Sequence, residues 1–237
     1  MDLIEYAIKN DDITKVDKYL EKKHIDDTFG NGITPLIFSI TGSTKHKKEF
    51  YEKGNFNIMT YLLYKEANPR TRSIIAPPPI FHAVSERKID MVIFLLFYKA
   101  SANDFGVERI HGLENNKVNT MNNKKAICKF PLEIAVENLD CDMVELLITN
   151  GAIYNKYSIS KVKTLLENYK LKKDIVDDNN KFVMYYKKCN KLEKIVNIME
   201  ENYNEKTDEK VNEFLSNNTL LFNYKIKTHF EWLKKMD

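Results

Sequence analysis

The chain has 237 residues, 43% apolar and 30% charged, with a formal net charge of +3. That composition belongs to an ordinary globular protein with enough chain for one sizeable core or two small ones. The small, mixed charge gives no electrostatic case for nucleic acid or a membrane surface, and seven glycines are too few for the tight positive-φ turns of a β-sandwich or barrel, so helices are expected.

The opening MDLIEYAIKNDD lacks the basic-then-apolar pattern of a secretory signal. Within it, Ala7 to Asp12 followed by Val16, Tyr19 and Leu20 reads as a weak helical pair. FGNGITPL, Phe29 to Leu36, then places two glycines ahead of an apolar segment. A dinucleotide fingerprint needs a third glycine where Pro35 stands, and a Walker loop needs Gly-Lys-Ser/Thr where Gly42 to Lys45 reads GSTK. The stretch is therefore read as a turn entering a helix with proline at its first position.

Three longer segments follow with the same internal pattern. TPLIFSI (34–40) pairs with GNFNIMTYLLYKEANPR (54–70), while PPIFHAVSERKIDMVIFLLFYKASAN (78–103) and FPLEIAVENLDCDMVELLITNGAIYN (130–155) align with each other without a gap. Each has a proline, then small or apolar residues such as Ala83-Val84 and Ala135-Val136, then a two-plus-two apolar stripe: Ile58, Met59, Leu62, Leu63; Met91, Val92, Leu95, Leu96; Met143, Val144, Leu147, Ile148. Each unit closes on a turn, Glu66-Ala67-Asn68, Lys99-Ala100-Ser101 or Gly151-Ala152-Ile153, and only the last has glycine. Pro35 to Pro79 spans 44 residues and Pro79 to Pro131 spans 52. Repeats of this kind run about 33 residues, so the excess falls in two insertions, 41–53 and 104–129.

These segments resemble ankyrin repeats, with Thr34-Pro35-Leu36, Pro79-Ile80 and Pro131-Leu132 at the family's helix A opening. The resemblance implies an all-α solenoid of stacked helix-turn-helix units with long loop insertions and a helical C-terminal cap. Residues 1–157 would hold units at about 1–30, 31–70, 71–103 and 104–157, the first acting as a cap. In residues 158–237 the match fades. There, 161–171, 181–203 and 219–236 carry apolar residues at three- and four-residue intervals and are read as helices, either degenerate repeats or a separate cap.

Candidates for chemistry are sparse. Cys128, Cys141 and Cys189 are odd in number, far apart and without metal-ligand spacing, which argues against disulfides and zinc and for a reducing compartment, the cytoplasm. His24, His46, His82, His111 and His229 form no pair on one helical face. No cofactor, metal, small-molecule ligand or catalytic residue is expected, and the chain is not read as an enzyme. The most apolar run, Met91 to Tyr98, falls short of the roughly 20 residues of a membrane span.

By resemblance the expected function is a protein-protein interaction scaffold that binds through the concave helix A face and the inserted loops. The residues expected at the contact are Arg70 and Arg72 in a turn, His82, Ser85 and Glu86 on one helix A, Glu133, Glu137 and Asn138 on the next, and the loop aromatics Phe50, Tyr51 and Phe105. The Lys-, Asn- and Ile-rich composition is of a kind seen in ankyrin proteins of large DNA viruses, intracellular bacteria and protists, which implies a host-interaction role. The alternative makes the repeats a targeting module for an enzymatic or nucleic-acid-binding activity in the C-terminal region.

Overall fold

A computed structural model describes residues 3–28, 32–42, 54–71, 76–110, 125–219, 227–229 and 232–233. The chain divides into two compact units, Met1–Gly106 and Val107–Asp237.

The first unit is built of helix pairs: α1 (Leu3–Lys9) with α2 (Ile13–Leu20), α3 (Pro35–Thr41) with α4 (Phe56–Tyr64), and α5 (Pro79–Ser85) with α6 (Ile89–Phe97). First helices pack side by side, α1 on α3 and α3 on α5, and α4 packs on α6 behind them. Proline begins α3 and α5 as expected, where its fixed φ suits the first turn and its missing N–H is no loss. Side-chain caps start α2 and α4: Asp12 accepts from the Lys15 N–H at 3.0 Å and Asn55 from the Ile58 N–H at 3.0 Å. Most of the expected stripes is buried, Ile58, Met59, Leu62 and Leu63 on α4 and Met91, Val92 and Leu95 on α6, whereas Leu96 is half-buried. Ser39, at the position of Ala83, is fully buried and returns its hydroxyl to the Leu36 carbonyl at 2.7 Å.

The second unit contains all but the first residue of β1 (Gly106–Ile110), then β2 (Lys125–Lys129), α7 (Pro131–Glu137), α8 (Cys141–Thr149), α9 (Lys156–Asp174), α10 (Asn179–Glu201), α11 (Glu205–Thr219) and β3 (Lys227–His229). Here α7 and α8 form the fourth helix pair, and α10 packs on α8 and along α9. Phe130 meets Phe214 of α11 edge-on at 5.5 Å. Tyr154 donates its hydroxyl to the Met199 carbonyl at 3.0 Å. The Asn155 side chain both caps α9 and donates to the Leu233 carbonyl at 2.9 Å, while Ser158 donates to the Trp232 carbonyl at 2.9 Å.

Two expectations need correction. The insertion at 104–129 is not all loop: its ends are strands in a sheet ordered β1-β2-β3. The stretch 219–236 is not one helix: β3 lies within it and pairs parallel to β2, Lys125 opposite Lys227, Ala126 opposite Thr228 and Ile127 opposite His229. The physical reason is in the local period. Ile226, Thr228 and Phe230 alternate with Lys225, Lys227 and His229, a two-residue repeat that suits a strand and not a helix. The helix α11 was missed, because Val211, Phe214 and Leu215 are its few apolar signals in a polar segment.

The turns carry the clearest repeat. After the first helix of a pair, Asp11, Arg87 and Leu139 each take a left-handed φ of 55°, 57° and 54°. The next N–H then reaches back to the alanine carbonyl of the helix: Asp12 to Ala7 at 2.9 Å, Lys88 to Ala83 at 2.9 Å, Asp140 to Ala135 at 3.0 Å. After the second helix, Glu66, Lys99 and Gly151 take φ of 68°, 74° and 83°. There the following N–H closes the same ring, Ala67 to Leu62 at 3.0 Å, Ala100 to Leu95 at 2.9 Å, Ala152 to Leu147 at 2.9 Å. These are Schellman closures, repeated at matching positions of successive helix pairs.

Candidate interaction surface

The first helices α3, α5 and α7 are short and mostly buried, so they present few side chains. In α5 only its end emerges: Ser85 is exposed and donates its hydroxyl to the Phe81 carbonyl at 2.8 Å, while Glu86 is half-buried and pairs with Lys88. In α7 the equivalent Glu137 is exposed and accepts from Lys129 at 2.8 Å, and Asn138 is half-buried at the helix cap. The sequence-derived candidates thus form one short polar rim in each unit.

Cross-repeat hydrogen bonds hold the rim of the first unit. Asn55 caps α4 and also donates to the Ile8 carbonyl at the end of α1, at 3.0 Å. Lys88, one repeat on, makes the same link to the Ile40 carbonyl at the end of α3. Asn57 adds a bond to the Asp11 carboxylate at 2.9 Å. Each pair is therefore tied to its predecessor through carbonyls that a helix end leaves without an internal partner.

The turns form a second ladder. Asp26 accepts from the Asn68 N–H at 3.0 Å, Asn68 accepts from the Arg70 N–H at 2.9 Å, and the Arg70 guanidinium grips the Asp104 carboxylate with Nε at 3.1 Å and Nη2 at 2.9 Å. Asp104 is only 7% exposed and also accepts from the Ser101 N–H at 2.9 Å. Arg70 was expected to meet a partner. Its planar fork is instead committed to a buried carboxylate, and the signal missed was Asp104 at the matching turn of the next repeat.

Two other candidates are corrected. His82 is buried at 9% exposure, its ring edge-on to Phe81 with centroids 6.1 Å apart, so it is a packing residue and not a presented one. Phe105 is 4% exposed, so it packs inward and is not presented to a partner. Beside it, a Cβ on Gly106 would lie 2.6 Å from the Phe81 ring, so glycine is what lets the chain pass this close. Phe50, Tyr51 and Arg72 lie outside the described residues.

Glu133 sits deeper than a contact residue would. It is the third residue of α7, and the backbone N–H of Phe130, the N-cap, donates to its carboxyl, which is one half of a capping box. Its Oε2 is buried with no hydrogen-bond partner among the described residues. Desolvation, aided by the neighbouring Glu137 charge and opposed by Lys129 and Lys161, pushes its pKa up to about 7.

Among the described residues the cysteines form no disulfide, no group of His, Cys, Asp and Glu is placed to hold a metal ion, and no helix is long and apolar enough to cross a membrane. Burial pushes the Cys141 and Cys189 thiols up, the opposite of what an activated nucleophile requires. No family model matches the chain, and no curated protein does. Among solved structures it is similar to an ankyrin repeat domain from Acinetobacter baumannii, at 18% identity over 64% of this chain and 63% of that one, with a TM-score of 0.45. It is also similar to a chain in the structure of a predatory endopeptidase from Bdellovibrio bacteriovorus in complex with an immunity protein, at 16% identity over 64% of each chain and a TM-score of 0.45. The chain thus spans slightly under two thirds of the length of either.

Proposed function

We propose that the chain is a non-catalytic scaffold that binds a partner protein through the polar ends of its first-helix rows, within the cytoplasm. The observation that supports this most is the repeated Schellman turn with its cross-repeat bond: Asn55 to Ile8 and Lys88 to Ile40 fix one helix end after another. Ser85 and Glu86 at the end of α5, and Glu137 and Asn138 at the end of α7, precede the same turn closure, Lys88 N–H to the Ala83 carbonyl and Asp140 N–H to the Ala135 carbonyl, so these side chains stand on ordered backbone. A partner meeting them loses little entropy in the scaffold. In this reading residues 1–157 supply the ankyrin units, and residues 158–237 cover the last of them. The high Cys141 and Cys189 thiols favour this over a cysteine-based activity.

The test starts from a partner captured from native cytosol and purified. Ser85→Arg and Glu137→Arg are exposed changes that leave the core intact. At least one of them is expected to weaken binding by about tenfold, or 1.4 kcal/mol, in calorimetry, with the helical circular dichroism unchanged. Unaltered affinity in both variants removes the rims from the interface.

A further inference from the structure

Two acids on one face of α7 stand beside one lysine. Glu133 and Glu137 are four residues apart on the helix, one turn from each other and about 5–6 Å between Cβ atoms. The Lys129 ammonium lies 2.8 Å from Glu137 Oε2, and Lys129 is the better shielded of the pair, with 13% of its side chain exposed against 51% for Glu137. Lys129 also precedes Phe130, whose N–H donates to the Glu133 carboxyl. Its stem therefore starts beside one acid while its ammonium rests on the other.

Glu133 has the poorer surroundings. Its Oε2 is buried and accepts no hydrogen bond among the described residues. The charges that act on it come from three elements: Lys129 at the end of β2, Glu137 on α7 itself and Lys161 on α9. The helix α8 packs on α7 as well, and none of its carboxylates is among them. From α11 comes the uncharged Phe214 ring, set against Phe130. Lys161 holds its ammonium over the Tyr157 ring at 5.0 Å. Of the two cations, Lys129 is the one whose backbone adjoins the Glu133 carboxyl.

This is the arrangement of a protonated Glu133, in keeping with a pKa that desolvation pushes up to about 7. A neutral carboxyl tolerates a buried oxygen without a donor far better than a carboxylate does. Once the proton leaves, the charge needs a partner, and a lysine on a flexible stem within reach can supply one. Glu137 loses little by giving the lysine up, because an exposed pair contributes little and water replaces the contact. Attraction between the same two charges is stronger where water is excluded, so the ammonium is better placed on the buried acid when that acid is ionised.

We propose that Glu133 and Glu137 exchange Lys129 in a proton-linked step: loss of the Glu133 proton to solvent draws the ammonium from Glu137 to Glu133 and leaves Glu137 as a bare anion on the rim. This rests on the reading of Glu137 as a contact residue, and it adds the regulation of that contact. At lower pH the rim presents a neutral pair, and at higher pH a carboxylate that fits a partner's lysine or arginine. NMR of the full chain without a partner tests the exchange, through side-chain carboxyl 13C and lysine 15Nζ signals between about pH 5 and about pH 9. Glu133 is expected to titrate within that range, and the hydrogen-bond coupling of the Lys129 ammonium should pass from the Glu137 carboxyl to that of Glu133 at the same midpoint. Lys129→Met should raise the Glu133 midpoint by about one pH unit, and Glu137→Gln should lower it, both at unchanged helical circular dichroism. Lys129→Arg should keep the wild-type midpoint. A Lys129 ammonium that stays on Glu137 throughout overturns the proposal, as does a Lys161 ammonium that closes on Glu133 in its place, or a midpoint that Lys129→Met does not move. Because no partner takes part, these results stand apart from the affinities of Ser85→Arg and Glu137→Arg, which judge the rim itself.

Discussion

At the scale of single residues, Glu133 shows how a position chosen for recognition can belong to stability. A carboxyl at the third position of a helix, reaching back to the Phe130 N–H, is a good cap when charged, yet burial here favours its neutral form. In the unfolded chain its pKa returns to the ordinary carboxylate range, so between about 4.5 and about 7 the folded state holds the extra proton. Stability contributed by Glu133 is therefore fully present at the acid end of that window, and is lost as pH rises through it. The loss is roughly 3 kcal/mol at most. Glu133→Gln removes the titration, so urea midpoints of the wild-type chain should fall between pH 5 and pH 8 relative to those of the variant. Parallel profiles would show that Glu133 ionises without cost. Nothing in the sequence marks this residue as buried, because its spacing fits an exposed row equally well, and the neighbours that set its charge, Lys129 and Lys161, come from β2 and α9.

At the scale of elements, the helix pairs were legible and the strands were not, for one physical reason. Prolines at the first helical position and two-plus-two apolar stripes are local signals, and α3 to α8 start where they point. A parallel pairing such as β2 with β3 joins residues far apart in sequence, so only a two-residue alternation betrays it, and three- and four-residue spacings among the same apolar residues compete with that signal. The Schellman turns show a similar split: a left-handed residue follows the second helix each time, and only at Gly151 is it glycine, while Glu66 and Lys99 hold that conformation with a Cβ. A left-handed φ costs an L-residue roughly 1–2 kcal/mol, and both side chains are exposed, so little offsets the strain. Lys99→Gly is expected to stabilise the first unit by about 1 kcal/mol, part of the gain being returned to the more flexible unfolded chain. A midpoint in thermal or urea unfolding that falls instead would show that the Lys99 side chain contributes more than its conformation costs.

At the scale of the whole molecule, each unit buries residues of its own. The first closes over Leu36, Leu62, Ile80 and Leu95, the second over Leu132, Leu147, Leu192 and Ile195, all fully buried. In the second unit the ends of the segment are also drawn together, since β3 pairs with β2 and the carbonyls of Trp232 and Leu233 accept from Ser158 and Asn155 at the start of α9. The chain has one tryptophan, and Trp232 is 4% exposed, so its fluorescence follows the second unit while far-ultraviolet circular dichroism follows the helices of both. Repeat proteins gain stability from neighbours in sequence and not from one global core, and two-state behaviour is not assured when cores are separate. Leu62→Ala, which opens a cavity in the first unit at a cost of about 2–5 kcal/mol, should therefore lower the circular dichroism transition in urea and leave the Trp232 transition in place. Leu192→Ala should move both, because the second unit contributes helices as well as the indole. If Leu62→Ala shifts the two signals equally, the two cores melt as one, and stability in this chain is shared across Gly106 and Val107 as a single cooperative property.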